Sequence, residues 1–283
     1  MILVFGKTGQ LATELQRQGD VTALGRDEVD LENVLACAGA IRKHKPDTVI
    51  NAAAYTAVDR AEEDGASAAL INGAAPRIMA EAAAEVGAKF IHVSTDYVFD
   101  GTGDRPWKPE DRPRPQGAYG RTKLSGEEGI RRAGGSHVIL RTSWVFSDVG
   151  SNFVKTMLRL GAERGELRVV DDQIGGPTPA ADIAAALLKI ADRLGENPEL
   201  GGTYHFAGAP DVSWADFARE IFAQSEMDVA VTGIPTADYP TPAKRPLNSR
   251  LDCASTESVF GIARPDWREG LAQVLKRLGA GTR

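Results

Sequence analysis

A chain of 283 residues with 42% hydrophobic and 25% charged side chains is long enough for one large or two modest domains with a full apolar core. Its net charge of -6 argues against a general nucleic-acid binder, which carries a basic face, so any anionic ligand must be held by a local cation. No apolar run reaches the ~18 residues of a membrane helix, and Met1 leads straight into a strand-like Ile2-Leu3-Val4-Phe5, so no membrane partner, no secretory leader and a cytoplasmic location are expected.

Short β-rich runs alternate with helical patterns in the first half, which predicts a parallel sheet. Strands are expected at 2–5, 21–24, 48–51, 90–93 and 138–141, with helices at 11–18, 31–44, 66–86 and 118–133. The Pro-rich stretch 105–115 continues neither a strand nor a helix and reads as a long loop. Beyond Trp144 the pattern changes to helices at 152–162, 182–194, 214–224 and 267–278, with short strands at 167–170 and 203–206. The fold expected is α/β, a Rossmann-type doubly wound parallel sheet over 1–147. A smaller substrate domain over 148–283 is expected to be interleaved with the end of the first.

Gly6-Lys7-Thr8-Gly9-Gln10-Leu11-Ala12 follows the first strand and opens the first helix. Gly6 and Gly9 let the backbone turn sharply towards a pyrophosphate, which the free N–H groups around Gln10 and Leu11 attract. A single glycine before Lys7-Thr8 lacks the phosphate-loop frame. The second strand runs out as Leu24-Gly25-Arg26, with no carboxylate for a ribose and with Arg26 available to a 2′-phosphate, which favours NADPH while leaving NADH possible. Asp30-Leu31 reads either as an adenine contact or as a helix cap at Asp30. Ala52-Ala53-Ala54-Tyr55-Thr56 leaves the third strand with small side chains, as for a flat ligand against the backbone or a tightly packed sheet end.

Ser94-Thr95-Asp96-Tyr97 ends the fourth strand, and Tyr119-Gly120-Arg121-Thr122-Lys123 follows on a helix. Four residues is about one helical turn, so the Tyr119 phenol and the Lys123 ammonium share a face, and the cation is expected to lower the phenol's pKa. Thr95 adds a hydroxyl for the same carbonyl oxygen. Trp144 serves either as an aromatic wall for a sugar or as core. Residues 244–252, with Arg245 and Asn248, form the densest basic patch and suit a diphosphate or a solvated loop. Cys37, Cys253 and the four histidines show no ligand spacing, so no metal is expected.

With these motifs, and with Asn51 to Asp59 and Arg245-Pro246-Leu247-Asn248-Ser249, the chain resembles the extended short-chain dehydrogenase/reductase family over essentially its whole length. The resemblance implies reduction of the 4-keto group of a nucleotide sugar, dTDP-4-dehydro-L-rhamnose, by NAD(P)H. It implies that Tyr119 gives the proton, that Lys123 lowers its pKa and holds the nicotinamide ribose, and that Thr95, Asp96 and Trp144 meet the sugar. The related dehydratases carry Glu where this chain has Tyr97, so elimination chemistry is not expected. Another nucleotide-ketosugar reductase or epimerase, and a non-catalytic regulatory subunit of methionine adenosyltransferase, are the competing readings. Some members dimerise around magnesium held by glutamates. Glu14 falls where one of these would stand, but no partners match, and a monomer or a homodimer is expected.

Overall fold

In the computed structural model, which describes residues 1–280, the first half of the chain alternates strand and helix. It runs β1 (Ile2–Phe5), α1 (Gln10–Gln18), β2 (Val21–Leu24), α2 (Val34–His44), β3 (Thr48–Asn51), α3 (Gly65–Ala69), α4 (Ala75–Glu85), β4 (Lys89–Thr95), α5 (Ala118–Ala133) and β5 (His137–Thr142). There follow β6 (Val145–Phe146), α6 (Phe153–Glu163), β7 (Glu166–Val170), β8 (Ile174–Gly175), β9 (Thr178–Pro179), α7 (Ala180–Glu196) and β10 (Gly202–His205). The chain closes with β11 (Val212–Ser213), α8 (Trp214–Gln224), β12 (Ala230–Ile234), β13 (Asn248–Ser249), α9 (Ala254–Phe260) and α10 (Trp267–Leu278).

Six parallel strands form one sheet in the order β10-β5-β4-β3-β1-β2. Side chains alternate along each strand, so both faces need cover. Leu3, Phe5, Val49, Phe90 and Ile139 meet Cys37 and Ile41 of α2 and Met79 and Ala83 of α4 on one face. Val4, Ile50, Ile91, Val138 and Leu140 meet Leu11 and Leu15 of α1 and Ile183, Leu187 and Ile190 of α7 on the other. This is a Rossmann-type doubly wound sheet, and its strand order reverses between β1 and β3, where such sheets open a crevice beyond their carboxyl ends. The second half returns to it through α7 and β10 and adds a separate core. There Phe146, Met157, Leu167, Phe217, Trp267 and Leu271 pack α6, α8 and α10 around the β7–β12 pair.

Two expected helices are corrected. The 31–44 helix begins at Val34, because Asn33 takes the cap and its side chain accepts the Ala36 N–H. The 66–86 helix is broken by a π-helical stretch at Leu70–Ala74. Pro76 follows it and has no N–H to continue the ladder back to Asn72. Asn72 is turned inward as a result. Its side chain accepts the Tyr55 N–H at 2.9 Å and donates to the Tyr55 carbonyl at 3.1 Å and to Thr122 Oγ1 at 3.2 Å. No helix among the described residues is long and apolar enough to cross a membrane.

Candidate active site

The turn after β1 has the backbone that a phosphate needs. Gly6 has φ +110°, a conformation that favours glycine, and its N–H is tied to the Leu24 carbonyl at 3.0 Å. Gly9 caps α1 with no side chain on the cap and no acidic residue in the first turn, and a Cβ at Gly9 would meet only open space. The helix therefore offers N–H groups to an anion at the sheet's switch point. Ala53 lies beside Gly6, and Ala52 and Ala54 flank it half-buried. These residues fit a dinucleotide's pyrophosphate through their backbones. Gln10 and Leu11 turn their side chains elsewhere. Gln10 Oε1 accepts from Ser147 and Asn152, both at 3.1 Å, and Leu11 is core.

At the end of β2 the structure changes the expected picture. Arg26 is 76% exposed and pairs with Asp30 at 3.2 Å and Glu32 at 3.6 Å. Asp30 also accepts the Glu32 N–H at 3.0 Å, so it caps no helix, while Leu31 packs against the α2–α4 core. A carboxylate does reach the strand end. Glu28 curls back to accept the Gly25 N–H and the Lys7 ammonium, both at 2.9 Å. Its distance past the strand hid it from sequence reasoning. Tyr55 donates its hydroxyl to Asp64 at 3.1 Å, and Thr56 is exposed.

The catalytic candidates converge at the carboxyl end of β4. Thr95 Oγ1 donates to Asp96 Oδ1 at 3.1 Å and accepts the Tyr97 N–H at 3.2 Å. Helix α5 lies so close that a Cβ on Gly120 would stand 2.2 Å from the Tyr97 carbonyl, which only glycine permits. That contact seats Tyr119 edge-on to Tyr97, with ring centres 5.5 Å apart. One turn further, Lys123 is 1% exposed. Its Nζ donates to the Val93 carbonyl at 2.7 Å and lies 3.0 Å from His92 Nε2.

Burial dominates the electrostatics here. It pushes the Asp96 carboxyl up to about 6, and Asp96 Oδ2 has no hydrogen-bond partner among the described residues. It pushes the Lys123 ammonium down to about 7, against the pull of Glu127. The Tyr119 phenol is held above its ordinary value by burial first and by the Asp96 charge second, with the Thr95 hydroxyl opposing. The expected lowering of Tyr119 by Lys123 is therefore corrected for the protein alone, because the lysine is engaged with His92 and Val93 rather than with the phenol. Below Lys123, Glu127 and Arg141 form a bidentate pair at 2.7 and 2.8 Å, both within 1% of full burial, with Ser94 and Arg131 on the same carboxylate.

Beside Tyr97 opens a cavity of about 810 Å³ whose lining includes Asp59, Phe153, Trp214, Tyr239 and Arg245. Trp144 stacks flat on Trp214, ring centres 3.6 Å apart, and so backs the wall that Trp214 presents. Arg245 pairs with Asp59 at 2.6 Å, and its buried Nη1 has no partner among the described residues, leaving a donor for a ligand. Asn248 is engaged with the chain itself. Its side chain donates to the Arg105 carbonyl at 2.8 Å and accepts from Arg250 at 3.0 Å, so it clamps the Pro-rich loop. Asp59, Tyr97, Phe153 and Trp214 were missed as lining. Asp59 and Tyr97 lay inside motifs already singled out, whereas Phe153 and Trp214 showed only as helix-starting aromatics. Glu14 is enclosed by Arg17 and Arg277, each 2.6 Å away, and no cluster of metal-ligating side chains occurs among the described residues.

The family model described as RmlD substrate binding domain matches residues 1–280. A dTDP-4-dehydrorhamnose reductase of Sinorhizobium fredii is 44% identical, covering 97% of this chain and 96% of that protein. The crystal structure of a dTDP-4-dehydrorhamnose reductase from Clostridium acetobutylicum superposes with a TM-score of 0.93 at 41% identity, over 98% of this chain and 99% of that one. A Bacillus anthracis dTDP-4-dehydrorhamnose reductase in complex with NADP gives 0.91 at 34% identity, over 98% of each chain.

Proposed function

The chain belongs to the RmlD substrate binding domain family, and from that membership we propose that it reduces the 4-keto group of dTDP-4-dehydro-L-rhamnose with NADPH, or with NADH, to give dTDP-L-rhamnose. The observation that carries this reading is a neutral phenol, Tyr119, near Thr95 and packed on Tyr97, which lines a cavity large enough for a nucleotide sugar.

When bound, the reduced nicotinamide supplies the hydride to C4. The Gly6 to Ala12 turn would receive the pyrophosphate, and Lys123 would hold the nicotinamide ribose. Arg26 and Lys7 are the cations nearest the end of β2 for a 2′-phosphate. Tyr119 gives its proton to the C4 oxygen as the carbonyl becomes an alcohol, and Thr95 donates to the same oxygen. A phenol kept protonated by burial is in the right form for that transfer. Asp96 Oδ2 and Arg245 Nη1, both buried without partners among the described residues, are groups that a polar sugar diphosphate would satisfy. Trp214, backed by Trp144, would wall the sugar nucleotide.

The test is NADPH oxidation with dTDP-4-dehydrorhamnose generated in a coupled reaction. Turnover is expected. No turnover with that sugar, alongside turnover of another nucleotide ketosugar, would overturn the substrate assignment.

A further inference from the structure

Beneath Lys123 runs a chain of side chains that the reaction scheme leaves unused. Asn51 ends β3, His92 lies in β4 and Lys123 in α5, all essentially excluded from solvent. Asn51 Nδ2 is 3.1 Å from His92 Nδ1, and His92 Nε2 is 3.0 Å from Lys123 Nζ.

A neutral imidazole has one N–H and one lone pair, an amide nitrogen only donates, and an ammonium only donates. The orientation of the Asn51 amide is fixed because its oxygen accepts the Ala53 N–H at 3.2 Å, which leaves its NH₂ facing the ring. Nδ1 must therefore accept, and the ring proton sits on Nε2, pointing at Lys123. An ammonium there would set N–H against N–H. An imidazolium is no solution, because it would set a second N–H against Asn51, and burial holds His92 well below its ordinary value. An uncharged amine completes the chain. It accepts from His92 Nε2–H through its lone pair and donates to the Val93 carbonyl.

We propose that in the nucleotide-free protein Lys123 is a neutral amine held by the Nε2–H of His92, and that His92, oriented by Asn51, is a positioning residue that sets the protonation state of Lys123.

The charges around Lys123 agree. Glu127, one turn along α5, favours the ammonium, but its carboxylate is taken by Arg141 from β5 and Arg131 from α5. Asp96 and Tyr119 lie at the other end, where Asp96 raises the phenol and the phenol is neutral. The π-helical stretch against α5 presents Asn72, which is uncharged. Arg77 of α4 lies at Gly129 and pairs with Glu81, and Glu62 caps Ala118, both away from the amine. Resting on the reductase reading, the consequence is that ribose hydroxyls, as new acceptors, favour the ammonium only once Nζ turns from the His92 Nε2–H towards them, so that cofactor binding above neutral pH consumes a proton.

NMR of the nucleotide-free protein with 15N-labelled histidine and lysine tests this without turnover. A single Nε2–H tautomer at His92 and a Lys123 titration near pH ~7, far below the ordinary ~10.4, are expected. A Lys123 that titrates near its ordinary value, or a proton on His92 Nδ1, overturns the proposal. His92→Gln supplies a carbonyl that accepts from an ammonium. It should move the Lys123 titration, and the matching limb of kcat/KM against pH, upward by more than about one unit. A folded His92→Gln protein with both unmoved overturns it as well, and if that variant does not fold, the wild-type spectra decide. The expected spectra together with no turnover of the proposed sugar would defeat the reductase reading and leave this one standing.

Discussion

Two clusters of similar charged residues border the crevice, and solvent makes them different instruments. At the end of β2, Lys7, Glu28, Arg26 and Asp30 pair at 2.9 and 3.2 Å on the surface. Exposed pairs of this kind are weak and easily rearranged, so a phosphate can displace a carboxylate from a cation at little cost. At the end of β4 and along α5, Asp96, Lys123, Glu127 and Arg141 are almost wholly excluded from water. Burial there moves Asp96 up to about 6 and Lys123 down to about 7. The first cluster suits selection between ligands, whereas the second suits proton chemistry.

Breaking the buried cluster should have the largest effect on the fold. Glu127→Ala leaves the Arg141 guanidinium buried without its bidentate partner, a loss of about 3–5 kcal/mol measurable by denaturant unfolding. A loss below about 1 kcal/mol would mean that water reaches the pair. Asp96→Asn is the next in size and has the opposite sign near neutrality. Its folded value of about 6 lies above the unfolded ~3.9, so the contribution of Asp96 to stability is present below pH ~4 and is lost as pH rises through about 6. The variant should therefore gain about 3 kcal/mol at neutral pH and nothing in acid, while KM for the sugar nucleotide rises. Equal melting curves at both pH values would show that the carboxylate is hydrated. The smallest effect belongs to the exposed cluster. Arg26→Ala should leave the melting curve unchanged and lower the preference for NADPH over NADH by roughly tenfold. An untouched preference would move the phosphate contact to Lys7 or elsewhere.

The parts of this arrangement that local chemistry dictates were readable in advance. The helices at 118–133, 214–224 and 267–278 fall on those residues because apolar spacing and end signals agree, as with Asp266, whose side chain caps the last of them. The Gly6 turn was readable because a strand precedes it and a helix follows. What escaped depends on contacts far apart in the chain. Glu28 returns to Gly25 around a turn, and Asn248 spends its amide on a carbonyl 143 residues away. His92 looked like one alternating residue of a strand until α5 brought Lys123 against it. The π-helical break at Leu70–Ala74 also depends on context, since it lets Asn72 reach Tyr55 and Thr122. The two-residue strands around the cavity have too few residues to show a period.

The central claim, that Tyr119 beside the buried cluster delivers the proton, is tested most directly by Tyr119→Phe. Its kcat with dTDP-4-dehydrorhamnose would be compared with that of the parent chain, with NADPH affinity measured alongside. A fall in kcat of about 10²–10⁴-fold with NADPH binding within about twofold is the expected result. An unchanged kcat would contradict the account and remove Tyr119 from the chemistry.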